Sequence, residues 1–537
     1  MRAELAGVPL AGIVLVTDGA DNAPAAAERA TLAAAPDVPV YTVGVGAERL
    51  ARDVEMVRVD APRSALAGGS VTADVTIAQS GLAGERARVV VEEDGRIVAS
   101  RDVALPDDGA RSVVRVAVPA EAEGVRRLAF RVVPVEGERI TGNNARDAIV
   151  RVRRGPERIL YVEGEPRFEL KFVRRAVEDD EGLHVVALQR TAENKYLRLG
   201  VDDSLQLVAG FPTTREELFG YRALVLGSIE ASHFTAAQLR LIADFVGERG
   251  GGLLFLGGRR SFREGGYAGT PLAEVMPVEI GEPGRGEEPE EFAEVVVGPT
   301  AAGATHALAR LSETEDSSVA RWRTLPPLTT VNRVRGVKPG ATVLLAGDRG
   351  EGDVPVLAWQ RYGRGMAAAL TVQDSWLWQM DASIADDDQT HERFWRQLLR
   401  WLASDVPDRA EMAAGGGARL GAGEQAVLRA TVRDSAFVGV NDASVIAIVR
   451  APSGAEREVR LAWTGEGDGD YRATYVPGED GVHEVRLVAE RGGERLAAGD
   501  AFLRASDGAE EWFDAGMRAP LLRRLAEETG GRFYTPS

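Results

Sequence analysis

The sequence predicts a multidomain chain in which α/β stretches alternate with all-β stretches. Three observations carry that reading. A length of 537 residues, at about 150 residues per domain, implies three to four domains. The hydrophobic pattern switches between apolar strand runs separated by helical periods and short alternating strands at regular spacing. Composition is ordinary, with 45% hydrophobic and 27% charged residues, which argues against disordered and fibrous classes.

Residues 1–52 form the first α/β segment. Gly12-Ile-Val-Leu-Val-Thr-Asp18-Gly19 is a buried-strand run ending in a polar turn, Ala25–Ala35 is helix-forming, and Val38–Gly46 is a second apolar strand. Strand–helix–strand spacing implies a parallel pair. Two strands cannot cover both faces of a parallel sheet, so this segment is expected to be incomplete and the least well packed. Residues 53–153 change to short strands, Val71–Ile77, Arg88–Glu92, Ile97–Val103, Ser112–Val118 and Arg127–Val133. Turn signals such as Asp94-Gly95 and Asp108-Gly109 separate them, and this spacing predicts a β-sandwich.

Residues 154–406 return to strand–helix alternation. Arg158–Glu163, His184–Leu188, Tyr221–Gly227, Gly252–Gly257, Val354–Trp359 and Met366–Val372 read as strands. Phe168–Glu178, Thr235–Arg249 and His391–Leu402 read as helices, the second with Leu239, Ile242, Phe245 and Val246 on one face. The expectation is a doubly wound α/β domain with an insertion near residues 265–350. A second sandwich is expected at 416–506, from Gln425–Val432, Ser444–Arg450, Glu458–Trp463, Tyr471–Val476 and Gly481–Glu490, after a flexible linker at Ala413–Ala418. Residues 507–537 hold a helix, Pro520–Thr529, and a strand that starts at Arg532 and is cut short, so both ends are expected to run through domains.

Charge and composition narrow the chemistry. The balance of 64 basic against 82 acidic residues gives −18, which disfavours nucleic acid as a partner because phosphate binding rests on basic patches. Only Lys171, Lys195 and Lys338 are lysines, and the Arg and Ala excess reads as GC-rich coding. Zero cysteines exclude disulfides, thiolate metal sites and a cysteine nucleophile, and leave the compartment open. No apolar run approaches the roughly 18 residues of a spanning helix, and Met1–Leu5 does not open a signal peptide, so the chain as written is expected to be soluble. Phosphate-cradling glycine motifs are missing, and no cofactor is expected.

Several segments resemble known families. Ile13–Asn22 followed by VPVYTVGVG resembles the latter part of a von Willebrand factor A domain, in which a Thr/Ser-Asp-Gly turn supplies one carboxylate of a metal site. Asp18 matches that carboxylate. The family's Asp-x-Ser-x-Ser segment would lie upstream of Met1, so metal binding at Asp18 is expected only if that half is present. ILYVEGEPRFELKFVRRA (159–176), RALVLGSIEA (222–231), GGGLLFLGGRRSF (250–262), GGYAGTPLAEVMPV (265–278) and VQDSWLW (372–378) before HERFWRQLLRWL (391–402) resemble the class I glutamine amidotransferase-like domain of bacterial modular proteins. That family places a cysteine on a turn after a strand and a His-x-Glu later. The matching turn here is Gly257-Gly258-Arg259-Arg260-Ser261, with no cysteine, and His391-Glu392 is adjacent at a helix start, where capping explains it. Glu138–Asn144 before Ala148–Val152, and Asp470–Val485, resemble immunoglobulin-like modules.

The candidate site is a mixed Arg/Glu pocket where strand-end loops converge, with Glu163, Glu165, Arg167 and Glu169 after the first strand, Ser228, Glu230 and His233 after the third, and Arg259, Arg260 and Ser261 after the fourth. Asp374 and Trp376 join it from the last strand, although the aromatic set of Trp376, Trp378, Phe394, Trp395 and Trp401 also suits a core. The expected function is a non-enzymatic scaffold on a catalytically dead amidotransferase-like domain, binding an unidentified protein partner. Proteins resembling this arrangement are anchored in a bacterial envelope by membrane helices at one or both ends, segments that this chain lacks. The alternatives are a serine-dependent hydrolase or transferase using Ser261 with His233, which requires those two side chains to meet, and a small-ligand sensor using the Arg/Glu pocket.

Overall fold

The computed structural model describes residues 11–19, 38–46, 52–62, 64–121, 123–138, 140–153, 155–193, 195–281, 291–312, 315–348, 353–414, 424–505 and 517–536. The expected helix Ala25–Ala35 and the glycines of the expected linker lie outside them.

The first β unit is two antiparallel-rich sheets. Asp53–Asp60, Gly69–Ser80 and Arg111–Ala120 make one, and Ser64–Leu66, Ala145–Arg153, Gly124–Val132, Arg86–Glu93 and Arg96–Ala104 make the other. Strict alternation does the work: Val71, Ala73, Val75 and Ile77 are fully buried, and they share one core with Val89, Val91, Leu128, Phe130 and Val150 of the second sheet.

The middle domain is built on one ten-stranded sheet. Its strands are β1 (Glu157–Glu163), β2 (Leu183–Ala192), β3 (Lys195–Leu199), β4 (Ala223–Leu226), β5 (Gly252–Leu256), β6 (Glu291–Pro299), β7 (Leu328–Val331), β8 (Thr342–Asp348), β9 (Asp353–Tyr362) and β10 (Gly365–Leu370). They lie in the order β3-β2-β1-β4-β5-β10-β9-β8-β6-β7. The run from β2 to β10 is parallel, and the strands beyond it on either side are antiparallel. Alternate residues of β1 feed two cores. Ile159 and Tyr161 pack with the helices Phe168–Ala176 and Thr390–Ser404, and Leu160 and Val162 pack with the helix Ala236–Gly247. Thr235 and Gln238 cap that last helix reciprocally. The segment expected as an insertion contributes β6, β7 and β8 to the same sheet, because Val295, Val297, Leu328, Leu344 and Leu345 complete one of its cores.

The second β unit has seven strands in the order Ala410–Ala414, Ala426–Val432, Asp470–Tyr475, Glu456–Trp463, Ser444–Arg450, Gly481–Arg491 and Glu494–Ala505. Ala410–Ala414, which precedes the glycine-rich stretch, thus already belongs to this unit.

The two ends of the chain meet in one sheet. Ile13–Thr17, Val40–Gly44 and Phe533–Tyr534 form a parallel sheet, with the helix Ala519–Glu528 beside it. Thr42 N–H donates to the Arg532 carbonyl at 3.1 Å, and its hydroxyl donates to the Leu522 carbonyl at 2.9 Å. Gly531 permits the approach, since a Cβ there would lie 1.9 Å from the Val40 carbonyl oxygen. On the edge strand, Val14 and Val16 stay 67% and 63% exposed.

Candidate functional site

The chain runs from β1 outward to β2 and then returns to the other side of β1 as β4. The crevice at the carboxyl ends of β1 and β4 is therefore the topological switch point of the sheet. Glu163 closes β1 there and is fully buried. Its Oε1 accepts from the backbone N–H groups of Gly164 (3.1 Å) and Ser228 (2.9 Å). Its Oε2 accepts from the Tyr161 hydroxyl at 3.2 Å and from Arg167 Nε and Nη2 at 3.2 and 2.9 Å. Arg167 Nη1 donates onward to the Gly257 carbonyl at 2.7 Å, so one ion pair ties together the ends of β1, β4 and β5. Burial alone would lower the Arg167 pKa, but the Glu163 charge outweighs it and holds the guanidinium above its ordinary value. Gly227 makes room, because a Cβ there would sit 2.6 Å from Glu163 Oε2.

A second layer covers this pair. Ser228 Oγ donates to Glu165 and accepts from the Arg260 backbone N–H at 3.1 Å. Arg190, on β2, clamps Glu230 through two bonds of 2.7 and 2.9 Å, with Arg260 at 3.3 Å. Burial pushes the Glu230 carboxyl up, and the arginines more than reverse this, down to about 2. His233 sits 3.2 Å from Arg190 Nη1 through Nδ1 and 3.1 Å from the Tyr196 hydroxyl through Nε2. Arginine only donates, so Nδ1 accepts; burial and the Arg190 charge hold this imidazole below its ordinary pKa. Arg190 and Tyr196 were not legible as site residues, because β2 and β3 carry no motif.

The serine alternative is not assembled. Ser261 is buried and donates its hydroxyl proton to the Leu256 carbonyl at 2.6 Å, and Gly227 O lies at 3.2 Å. Both His233 nitrogens are engaged elsewhere, and no hydrogen bond joins the two side chains. Nor does the turn carry the strained backbone of a nucleophile elbow; the first left-handed non-glycine residue after β5 is Phe262, with φ 49°. Asn332 holds the turn through both directions, accepting from Gly258 N–H (2.8 Å) and donating to Gly258 O (3.0 Å). Arg259 is exposed.

Asp374 and Trp376, after β10, lie on the same edge of the sheet in a separate cluster. Asp374 accepts from the Thr329 N–H and hydroxyl, each at 2.7 Å. The Trp376 ring packs on Phe168 and Phe172, at 5.4 and 6.4 Å between centroids. Between them lies a buried polar centre. Ser375 donates to Glu169 and accepts from Trp395 Nε1 at 2.9 Å, and His391 Nε2 is 3.4 Å away. Burial, reinforced by the Asp374 charge, pushes Glu169 up to about 8, and burial pushes His391 down to about 3. Among the described residues, Glu169 Oε2, Asp374 Oδ1 and His391 Nδ1 have no hydrogen-bond partner. At the start of this helix Asp388 accepts from the Thr390 N–H at 2.8 Å, and the His391 ring is buried one residue further on. The signal for its burial was the spacing of His391 with Trp395 and Leu398 on one apolar face.

Asp18 ends the strand Ile13–Thr17, with its backbone carbonyl accepting from Arg518 N–H at 2.8 Å. Among the described residues no group of three His, Asp or Glu side chains is placed to hold a metal ion.

Residues 203–404 match the family model described as "Putative glutamine amidotransferase". This stretch is a glutamine amidotransferase-like domain. It covers the sheet from β4 to β10 and the helix that follows, and the switch-point crevice lies at its border with β1. No curated protein matches the chain. Among solved structures, the CARDB domain of the PF1109 protein from Pyrococcus furiosus is 18% identical over 20% of this chain and 94% of its own, with a TM-score of 0.17. The Lin-41 filamin domain is 19% identical over 19% of this chain and 95% of its own, with a TM-score of 0.16. Latent PorU from Porphyromonas gingivalis is 8% identical over 85% of this chain and 34% of its own, with a TM-score of 0.17. Likenesses at these scores carry no argument. No helix among the described residues is long and apolar enough to cross a membrane.

Proposed function

We propose that this is a non-enzymatic interaction protein whose amidotransferase-like domain recognises a protein partner, carried between two immunoglobulin-like modules and a von Willebrand A-like segment in a bacterial envelope. The observation that carries the reading is the turn after β5. A nucleophile at this position needs a thiol or an activated hydroxyl. The turn offers two glycines and two arginines, and its Ser261 hydroxyl is spent on a backbone carbonyl. The charged groups of the crevice are also bonded to one another, which suits a rigid support more than a substrate pocket. The experiment is glutamine-dependent ammonia release by the purified chain. Release at the buffer blank is expected; release above it that survives purification to homogeneity and Ser261→Ala would point to another nucleophile and overturn the reading.

A further inference from the structure

The two β units meet each other as well as the middle domain. The strands Ala145–Arg153 and Glu494–Ala505 turn Val150, Val152, Ala501 and Leu503 into their own cores, so their alternate residues point outward. Both outward faces line one cleft of about 1240 Å³. Across it Arg151 Nη1 lies 2.7 Å from Asp500 Oδ2, and Arg504 Nη1 lies 2.6 Å from Asp147 Oδ2. Four residues forward on one strand are four residues back on the other, so the two faces run antiparallel. We infer that Asp147–Arg504 and Arg151–Asp500 form an ionic latch by which the first β unit, hinged near Arg153, closes on the second, so that ionic strength sets the ratio of closed to open chain.

The contact is ionic rather than packed. Ile149 and Phe502, the apolar residues between the two pairs, stay half-buried, and the Arg151 and Asp500 side chains keep 34% and 33% exposure. Among the described residues no buried core joins the two units. A contact between domains resists movement when it is large and apolar, whereas hydrated ion pairs are individually weak and screened by salt. The joints with the middle domain place the hinge. The second unit packs Phe437 against the core of the helix Ala236–Gly247, with its ring 6.0 Å from Phe219 and 3.9 Å from the Arg249 guanidinium. Arg222 also binds Asp408, and Arg249 donates to the Pro407 carbonyl at 2.6 Å. The core of the first unit keeps to residues 54–152, and its joint is polar: Arg400 donates to the Gly68 carbonyl, and Arg153 reaches Asp408 and Glu157 where the chain leaves the strand. Asp147 lies six residues before Arg153, about 20 Å along the strand. A small rotation at the joint therefore parts the latch.

The chain has no cysteine, so Ser100→Cys and Glu484→Cys, at exposed strand positions, carry one spin label on each β unit. Pulsed electron resonance on the labelled full chain is expected to give one short distance at about 20 mM NaCl and a second, longer one at about 1 M. Asp500→Arg turns the pair with Arg151 into a repulsion, and should raise the share of the longer distance about fivefold or more in low salt. Adding Arg151→Asp should return it, with circular dichroism unchanged throughout. A distance that responds to neither salt nor Asp500→Arg would overturn the latch. So would an Asp500→Arg shift that Arg151→Asp fails to reverse, since the effect would then belong to Asp500 alone and not to the pair. The ammonia assay bears on none of these outcomes.

Discussion

Raising the pH from 6.5 to 9 should weaken the amidotransferase-like domain, and Glu169→Gln should remove most of that loss. Glu169 is buried, its Oε1 accepts from Ser375, and its Oε2 has no hydrogen-bond partner among the described residues. Burial therefore raises its pKa from 4.5 to about 8. In the unfolded chain the carboxyl is ionised above about 4.5, whereas in the native state it keeps its proton to about 8. Between those values the native state binds the extra proton, so stability falls as pH rises, by ~1.4 kcal/mol per pH unit. The full span is worth ~5 kcal/mol at most, and the part between pH 6.5 and 9 is ~2 kcal/mol. At 2–4 °C per kcal/mol for a domain of this size, that is a fall in Tm of roughly 4–8 °C. His391, held down to about 3, adds no slope in this range. Asp53, raised by burial to about 6, has largely finished titrating at its start and lies in another unit. Calorimetry at four pH values on both proteins reads the difference directly. Parallel Tm curves for the wild type and Glu169→Gln would refute the reasoning, since they would mean the carboxyl is solvated or paired when ionised.

Two further outcomes follow from the same geometry. Arg167→Met should destabilise this domain by about 3–5 kcal/mol in urea unfolding, because it strands the Glu163 charge in the core, and adding Glu163→Gln should restore part of the loss; a cost below about 1 kcal/mol would show that the backbone donors suffice for Glu163. Removing residues 506–537 should speed hydrogen exchange of the Thr42 amide by about tenfold or more, since it loses the Arg532 carbonyl; unchanged exchange would show that the C-terminal helix and strand do not hold Val40–Gly44.

Local periodicity was the most legible level of the sequence. The sequence pattern places Ser444–Arg450 to the residue, and the helices Ala236–Gly247, Thr390–Ser404 and Ala519–Glu528 to within two residues at each end. Strict alternation or a continuous apolar face leaves little choice of element. Pairing over long sequence distances was not legible. Nothing local in Phe533-Tyr534 says that it lies beside Val43, some 490 residues earlier, nor that β6 to β8 extend the sheet begun by β1. The candidate site shows the same division. Glu163, Arg167, Ser228 and Glu230 follow strand ends, and strand ends of a parallel sheet converge by topology, so their convergence could be argued. Arg190 and the Glu169–Ser375–His391 centre depend on side-chain direction, which spacing does not give.

The crevice at the sheet edge is closed by its own side chains. A switch point in an open α/β sheet is a hollow lined by strand-end loops, and a ligand ordinarily satisfies the polar groups that point into it. Here the hollow is filled from within: Arg167 reaches across to Gly257, and Arg190 closes on Glu230. Glu163 is paired with Arg167 and Glu230 with Arg190, so a polar ligand that took either carboxylate would have to break that pair before making its own bonds. Arg167 and Arg190 thus brace the strand-end loops of the switch point from within the crevice.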